Sequence, residues 1–264
     1  ALSVNETTVV IYGDKTFKPL ASRGSHYDYA AFVQGSDEQA KLICSMVTVA
    51  LNSAKAYYEE KHDKTAFVKS IISDNILLGD IYVRAKELHF ASEAPRAVFL
   101  VRQVGSAEIA AVDVVQNLFS DSQDDFVISI NETDIAVIKT LTEGGDGKEI
   151  YRIAKSIEDA LAQNLKLKTT IGIGTVVNHI RDLARAYKEA GVAIDVGKVF
   201  DTEKTIITYE NLGIGRLIYQ LPTVMCGMFL QEVFKKNPID ALDQETLFTI
   251  NKFFENNLNV SETS

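Results

Sequence analysis

The chain has few cysteines and no tryptophan, and the scarcity of cysteine limits the kinds of disulfide or metal site that it can form. Its two cysteines, Cys44 and Cys226, both have apolar neighbours, so the pattern excludes a disulfide framework and indicates buried thiols. The four histidines are His26, His62, His89 and His179. They are far apart, with no HExxH motif and no cysteine partner, so we expect no metal site and no cofactor. No Gly-x-Ser-x-Gly motif occurs, and no catalytic residue is predicted.

Long apolar runs are also missing. No stretch approaches the roughly 18 apolar residues that a membrane span needs, and residues 1–8 carry no secretion signal. We therefore expect a cytoplasmic protein with no membrane contact. Cations are in deficit, with 27 Lys and Arg against 36 Asp and Glu and a net charge of −9. Such a surface is unsuited to a nucleic-acid backbone.

Residues 1–60 combine β-rich segments with a helix. Runs at 8–12, 16–20 and 27–33 are separated by turn residues, which predicts antiparallel strands. A helix is predicted from Ser36 and Asp37, with apolar residues that recur in alternating steps of four and three. These residues are Ala40, Cys44, Val47, Leu51, Ala54 and Tyr58.

The apolar seam of this helix has two interpretations. The helix packs on its own sheet, or it pairs with a second copy in a homodimer. The run is shorter than three heptads, so periodicity does not decide between them. The hypothetical dimer seam consists of Cys44, Val47, Leu51, Ala54 and Tyr58.

Residues 61–94 are predicted to be a helical connector. One helix is expected at 64–78 and ends at Gly79, and Asp80 then caps a helix at 81–90. Pro95 marks a domain boundary.

Residues 95–212 alternate strands and helices in the order βαββαβαβ. The predicted strands are 96–103, 125–130, 135–141, 169–177 and 205–209, and the helices are 107–119, 148–165 and 179–200. This order predicts an α+β fold with helices on a mixed sheet. Residues 213–264 follow as helices at 214–221, 224–234 and 244–256.

The order of elements resembles the nucleotidyl-cyclase-like domain of diguanylate cyclases, the GGDEF family. In that family, Gly-Gly-(Asp/Glu)-Glu-Phe in the hairpin of the second and third strands holds metal and a guanine nucleotide. The matching residues here are Asn131, Glu132, Thr133, Asp134 and Ile135. Both glycines are replaced, so Cβ atoms block the close approach of the backbone, and part of the carboxylate clamp is lost. The resemblance therefore implies a degenerate, non-catalytic domain.

Two other glycine-containing segments have structural interpretations. The run Glu-Gly-Gly-Asp-Gly at 143–147 follows the third strand, and we expect it to lead into the next helix. Gly172 and Gly174 lie inside a strand pattern with no following GK[ST], so they do not form a phosphate loop. We expect a helix to pack closely against them.

Segments 171–174, 185–197, 209–213 and 245–264 resemble the degenerate form of this domain in transcription regulators of purine catabolism and carbohydrate diacid utilisation (PucR/CdaR type). The resemblance implies a C-terminal helix-turn-helix DNA-binding domain that opens in the last segment. Asn259 or Ser261 is a good N-cap for a helix that has no room before Ser264. We therefore expect a truncated domain, with DNA bound only through residues outside this chain.

The N-terminal segment resembles the later half of a PAS- or GAF-like sensor. Arg23, His26 and Tyr29 are its candidate ligand residues, because an anionic sugar acid requires an arginine fork and hydroxyl donors. The alternative is that all three are surface loop residues.

Three functional hypotheses follow. The first is the effector-sensing and dimerising region of a bacterial transcription regulator, and it is the one that the resemblance favours. The second is a nucleotide-binding or cyclase-like enzyme. The third is a scaffold that dimerises without sensing.

Overall fold

The computed structural model describes residues 9–21, 29–104, 110–120, 122–142, 146–200, 204–234 and 243–255. The chain divides into two compact units, Ala1–Asn211 and Leu212–Ser264. Sheets and helices are both present, which confirms the α+β class. Within the described ranges, no helix combines the length and the apolarity needed to cross a membrane.

The first unit begins with a small antiparallel sheet. Its strands are β1 (Val10–Tyr12), β2 (Lys15–Pro19) and β3 (Ala30–Gln34), in the order β1-β2-β3. A tight turn joins β1 to β2, and Gly13 adopts a φ of 62° there, a conformation that glycine reaches without a Cβ clash. The prediction of antiparallel strands is confirmed.

One long helix, α1 (Glu38–Ile72), follows the small sheet. The Asp37 carboxylate accepts a hydrogen bond of 2.8 Å from the Ala40 backbone N–H, which confirms the predicted helix start. The prediction of two separate helices, broken before Lys64, is wrong. The connecting residues contain no glycine or proline, and Glu60 pairs with Lys64 across one turn at 2.8 Å, so the helix continues without a break.

The two ends of α1 are buried on opposite faces. Near its start, Cys44 packs against the small sheet, where its thiol contacts the Thr16 and Ala31 carbonyl oxygens. Near its end, Phe67 and Ile71 lie in the core of the larger sheet. Because each helical residue turns by about 100°, Cys44 and Ile71 project about 180° apart. The helix is therefore shared by two separate hydrophobic layers.

A second helix, α2 (Leu78–Glu87), connects α1 to the larger sheet. The predicted stop at Gly79 and cap at Asp80 are wrong, because both residues lie in the first turn of this helix. Ile81 and Ala85 are buried in the same core as Phe67.

The larger sheet has six strands. They are β4 (Glu93–Val104), β5 (Phe126–Ser129), β6 (Asp134–Thr140), β7 (Lys168–Ile173), β8 (Val177–His179) and β9 (Ile206–Thr208). The intervening helices are α3 (Ala110–Leu118), α4 (Gly147–Leu165) and α5 (Leu183–Phe200). The strand order is β5-β6-β4-β7-β9, with β8 paired to the start of β4. Strands β7 and β9 are parallel, and the other described pairs are antiparallel. The predicted alternation holds with one additional strand.

Three local predictions in this region are wrong. Pro95 lies inside β4 rather than at its boundary, at a shift of register between β4 and β8, where proline is tolerated. The strand predicted at 169–177 is two strands, β7 and β8, which both pair with β4. His179 ends β8 and precedes a 3₁₀ turn (Ile180–Asp182), so it does not open the helix.

Helices cover both faces of the larger sheet. Strand β4 alternates between them: Val98 faces the layer that contains the end of α1, α2 and the start of α5, and Phe99 faces the layer of α3 and α4. Leu100 packs on Ala190 and Ile194 of α5. This central strand is therefore buried on both sides, as its apolar run requires.

Glycines bring α5 close to β7, as the sequence predicted. A Cβ atom at Gly172 would lie 2.0 Å from the Ala190 carbonyl oxygen, and one at Gly174 would lie 2.1 Å from that of Ala186. Neither distance is compatible with a side chain. The two glycines therefore fix the separation of helix and strand.

In the described residues of the second unit there are three helices. They are α6 (Gly215–Gln220), α7 (Thr223–Val233) and α8 (Gln244–Glu255), which confirms the three predicted helices. The Asp243 carboxylate accepts a hydrogen bond of 2.7 Å from the Thr246 backbone N–H at the start of α8. The Thr246 side chain, together with this backbone contact, lowers the pKa of Asp243, as expected for an acid at a helix N-terminus.

We predict that Gly174→Ala lowers the free energy of unfolding by about 2–3 kcal/mol, because the added methyl group forces α5 away from β7. Urea denaturation would measure the change. Gly79→Ala is the matched control, since nothing lies within 4 Å of a Cβ atom at that position. Equal stability of the two variants would contradict the packing argument.

Candidate functional site

The hairpin between β5 and β6 occupies the position that the sequence singled out. Its loop closes on itself, because the Asn131 side-chain oxygen accepts hydrogen bonds of 2.8 Å from the backbone N–H groups of both Thr133 and Asp134. The Ile130 N–H donates to the Asp134 carbonyl at 3.0 Å. Asn131 thus stabilises a tight turn that needs no glycine.

The Asp134 carboxylate is held by an arginine from the neighbouring strand. Arg102 of β4 lies opposite Asp134 in the β4–β6 register. Its Nε and one terminal nitrogen donate to the two carboxylate oxygens, both at 3.0 Å. The other terminal nitrogen donates to Asp195 of α5 at 2.9 Å. One guanidinium therefore ties the hairpin, the central strand and α5 together.

Burial and charge make this pairing strong. Asp134 is 6% exposed, and a bidentate arginine–carboxylate contact is the most favourable geometry for such a pair. The hydrogen bond to Asp134 raises the pKa of Arg102 above its ordinary value, with a further contribution from Asp195. Burial raises the pKa of the nearby Tyr187, and the Asp134 charge adds to the effect.

This arrangement leaves little for a metal ion. Both Asp134 oxygens already accept hydrogen bonds from a cation, and a divalent ion would have to displace that cation. Glu132 is exposed at the loop tip. Among the described residues, no group of three or more histidine, cysteine, aspartate or glutamate side chains is placed to hold a metal ion.

A GGDEF-like domain is present at residues 74–196. This stretch runs from the turn after α1 into α5 and contains the hairpin, Arg102 and Asp195. The domain predicted from the sequence was 95–212, whereas the match starts earlier, includes α2 and ends at 196. No curated protein matches the chain.

The predicted ligand cluster is not assembled by the described residues. Arg23 and His26 lie outside them. Tyr29 is exposed just before β3. The run predicted to lead into a helix is described only at Asp146 and Gly147, where Asp146 caps α4.

The predicted dimer seam divides into two parts. Cys44 is fully buried against its own sheet, so a partner helix cannot reach it. Val47, Leu51, Ala54 and Tyr58 are exposed. At Cys44, the structure therefore agrees with the interpretation in which the helix packs on its own sheet.

The roles of two arginines of β4 were not predicted from the sequence. Arg102 interrupts an apolar run, but its partners lie in distant parts of the chain. Arg96 is 1% exposed, stacks on the Phe90 ring at 4.8 Å and donates to the Ala91 carbonyl at 2.7 Å. Burial lowers the pKa of Arg96. For both arginines, the signal in the sequence was a charged residue inside a predicted apolar strand.

We predict that Arg102→Met lowers the free energy of unfolding by about 2–3 kcal/mol, because it leaves a buried carboxylate without its cation. The double variant Arg102→Met/Asp134→Asn should recover part of this loss, since a neutral amide needs no counter-charge. Chemical denaturation of both variants would measure the difference.

Lys155→Met is the control for that experiment. Lys155 pairs with Glu158 and Asp159 on the solvent side of α4, and exposed pairs contribute little to stability. Its denaturation midpoint should not change. An Arg102→Met variant that behaves like Lys155→Met would contradict the proposed importance of the Asp134 pair.

Proposed function

We propose that this chain is the effector-sensing and dimerising control region of a cytoplasmic bacterial transcription regulator of the purine-catabolism and carbohydrate-diacid type. In this proposal, the small sheet and α1 belong to a PAS- or GAF-like sensor. The GGDEF-like domain transmits its state without catalysis, and DNA is bound by a helix-turn-helix that continues beyond Ser264.

The observation that carries the proposal is the continuity of α1. One helix is buried in the small sheet at Cys44 and in the GGDEF-like core at Ile71. A helix fixed at both ends transmits a rotation or shift at one end to the other, because its backbone is rigid over this length. A sensor module coupled to an output domain needs such a connection.

The Arg102–Asp134 pair favours this proposal over the enzyme hypothesis. A cyclase would use the hairpin carboxylates to hold metal and phosphate, whereas here Asp134 neutralises an arginine. The hairpin acid is therefore used for structure, and the domain serves as a rigid body.

Incubating the chain with GTP and Mg²⁺ tests the enzyme hypothesis. We expect no pyrophosphate release and no saturable binding of GTP. Turnover above the buffer control, or GTP binding that is lost in an Asn131→Ala/Thr133→Ala variant, would reject the proposal.

Dimerisation is assigned to the uncovered side of α1. Leu42, Met46 and Val49 are 62%, 65% and 62% exposed. Leu42 and Met46 project within about 20° of Ile71, at about 100° per residue, so this face continues the one that packs on the GGDEF-like core. Residues 42–54 contain no charged side chain. A second copy suits this face best, because two uncharged faces pair without burying an ion.

We predict that Met46→Glu converts a dimer into a folded monomer, since a carboxylate in the helix pair has no counter-ion. Sedimentation velocity would give the mass, and circular dichroism would verify folding. Tyr12→Glu is the control, because Tyr12 is an exposed residue of β1 in the small sheet. A monomeric parent chain, or a dimeric Met46→Glu variant, would contradict this interface.

The DNA-binding part of the proposal rests on the resemblance of the segment 245–264. The reading frame beyond Ser264 tests it, and we expect a short basic helix to follow. A thermal-shift screen with sugar acids and other metabolites separates a sensor from a scaffold: a stabilising metabolite supports sensing, and a screen without one supports the scaffold.

A further inference from the structure

A cleft of about 520 Å³ lies where α1 leaves the small sheet and approaches the GGDEF-like domain. One wall is the middle of α1, from Tyr57 to Thr65. The other is formed by the end of α3 and the start of β5, including Gln116, Phe119 and Phe126. Its volume is within the usual range for small-molecule sites. Any molecule bound there would contact both the connecting helix and the domain.

Aromatic rings form much of the surface of this cleft. Tyr57 and Tyr58 contact each other edge to face, with their centroids 5.6 Å apart. Phe119 lies on the opposite wall, with the Lys139 ammonium 5.4 Å from its centroid. Rings on two walls favour a flat, unsaturated molecule, because such a molecule stacks on one ring and meets the edge of another.

Among the described side chains that line the cleft, Lys61 offers an ammonium group to a ligand. The buried Asp125 carboxylate accepts hydrogen bonds from Lys139 and from the Thr140 backbone N–H, so these two charges neutralise each other. His62 lies beside Asp63 on the rim, with Nδ1 3.9 Å from the carboxylate. Lys61 spans the cleft and donates to the Ser122 carbonyl at 3.0 Å. That partner is a neutral carbonyl, so it does not compensate the ammonium charge, and the ammonium has further N–H donors for a ligand.

One such ammonium favours a ligand with a single negative charge. The C-terminal end of α3 also lies at the cleft, and its partial negative charge disfavours a polyanion. The cleft is therefore less suited to a nucleotide triphosphate than to a monoanion. A carboxylate next to Lys61 satisfies the ammonium at short range.

We infer that this cleft binds a small planar ring compound with one carboxylate, with the ring between Tyr57 and Phe119 and the carboxylate at Lys61. This inference rests on the proposed function, for which it names the effector site and the chemical class of the effector. The site is distinct from the candidate ligand residues Arg23, His26 and Tyr29, which stay a separate prediction.

The test uses indole-3-acetate as the probe. The chain contains no tryptophan, so the fluorescence anisotropy of the indole ring reports binding without interference from the protein. We expect saturable binding to the whole chain, and at least about tenfold weaker binding of neutral indole, which lacks the charge-assisted contact. No saturable binding of indole-3-acetate overturns the inference.

Two matched lysine variants locate the probe. Lys69 lies two turns after Lys61 and donates in the same way to the Ser129 carbonyl at 3.0 Å, but it does not line the cleft. Lys61→Gln should weaken binding of indole-3-acetate at least about tenfold, and Lys69→Gln should leave it within about twofold. Equal effects of the two variants overturn the inference.

The outcome is independent of the proposed function, because GTP turnover would reject the regulator without affecting probe binding. Failure of probe binding would likewise leave the turnover result intact.

Discussion

The burial of α1 on opposite faces is the constraint on which the first unit depends. At Cys44 one face of α1 packs on the small sheet, and at Ile71 the opposite face packs on the GGDEF-like core. Since the helix contains no break between them, the two layers share one rigid element. Removing either contact would leave an apolar helix face without cover, and exposed apolar surface costs free energy in proportion to its area.

In the GGDEF-like domain, side-chain contacts hold the hairpin between β5 and β6 in place. Its hairpin turn is stabilised by the Asn131 side chain rather than by glycine, and its acid is neutralised by Arg102. Gly172 and Gly174 meanwhile allow α5 to pack closely on β7, which brings Asp195 within reach of the same arginine. The residues of the loop thus stabilise a fixed shape, which is the property that the proposed transmitting role requires.

Much of this fold could be predicted from local patterns. The strands and most helices follow from alternation, capping residues and turn residues, and the close approach at Gly172 and Gly174 follows from glycine inside a strand. The continuity of α1 was not predicted. Apolar residues stop recurring regularly near the middle of α1, and this resembles a helix end, although ion pairs continue the helix there. The Arg102 contacts join residues separated by 32 and 93 positions. Such partners depend on strand register and helix placement, which local patterns do not contain.

Hydrogen exchange along α1 tests the central claim most directly. If one continuous helix connects the two layers, the amides of residues 50–62 should exchange far more slowly than those of an unstructured peptide. Their exchange rates should also be similar to those of the two buried ends of α1. Exchange of residues 50–62 at the unstructured rate, with both ends still protected, would mean two helices joined by a hinge. That result would contradict a rigid connection between the small sheet and the GGDEF-like domain.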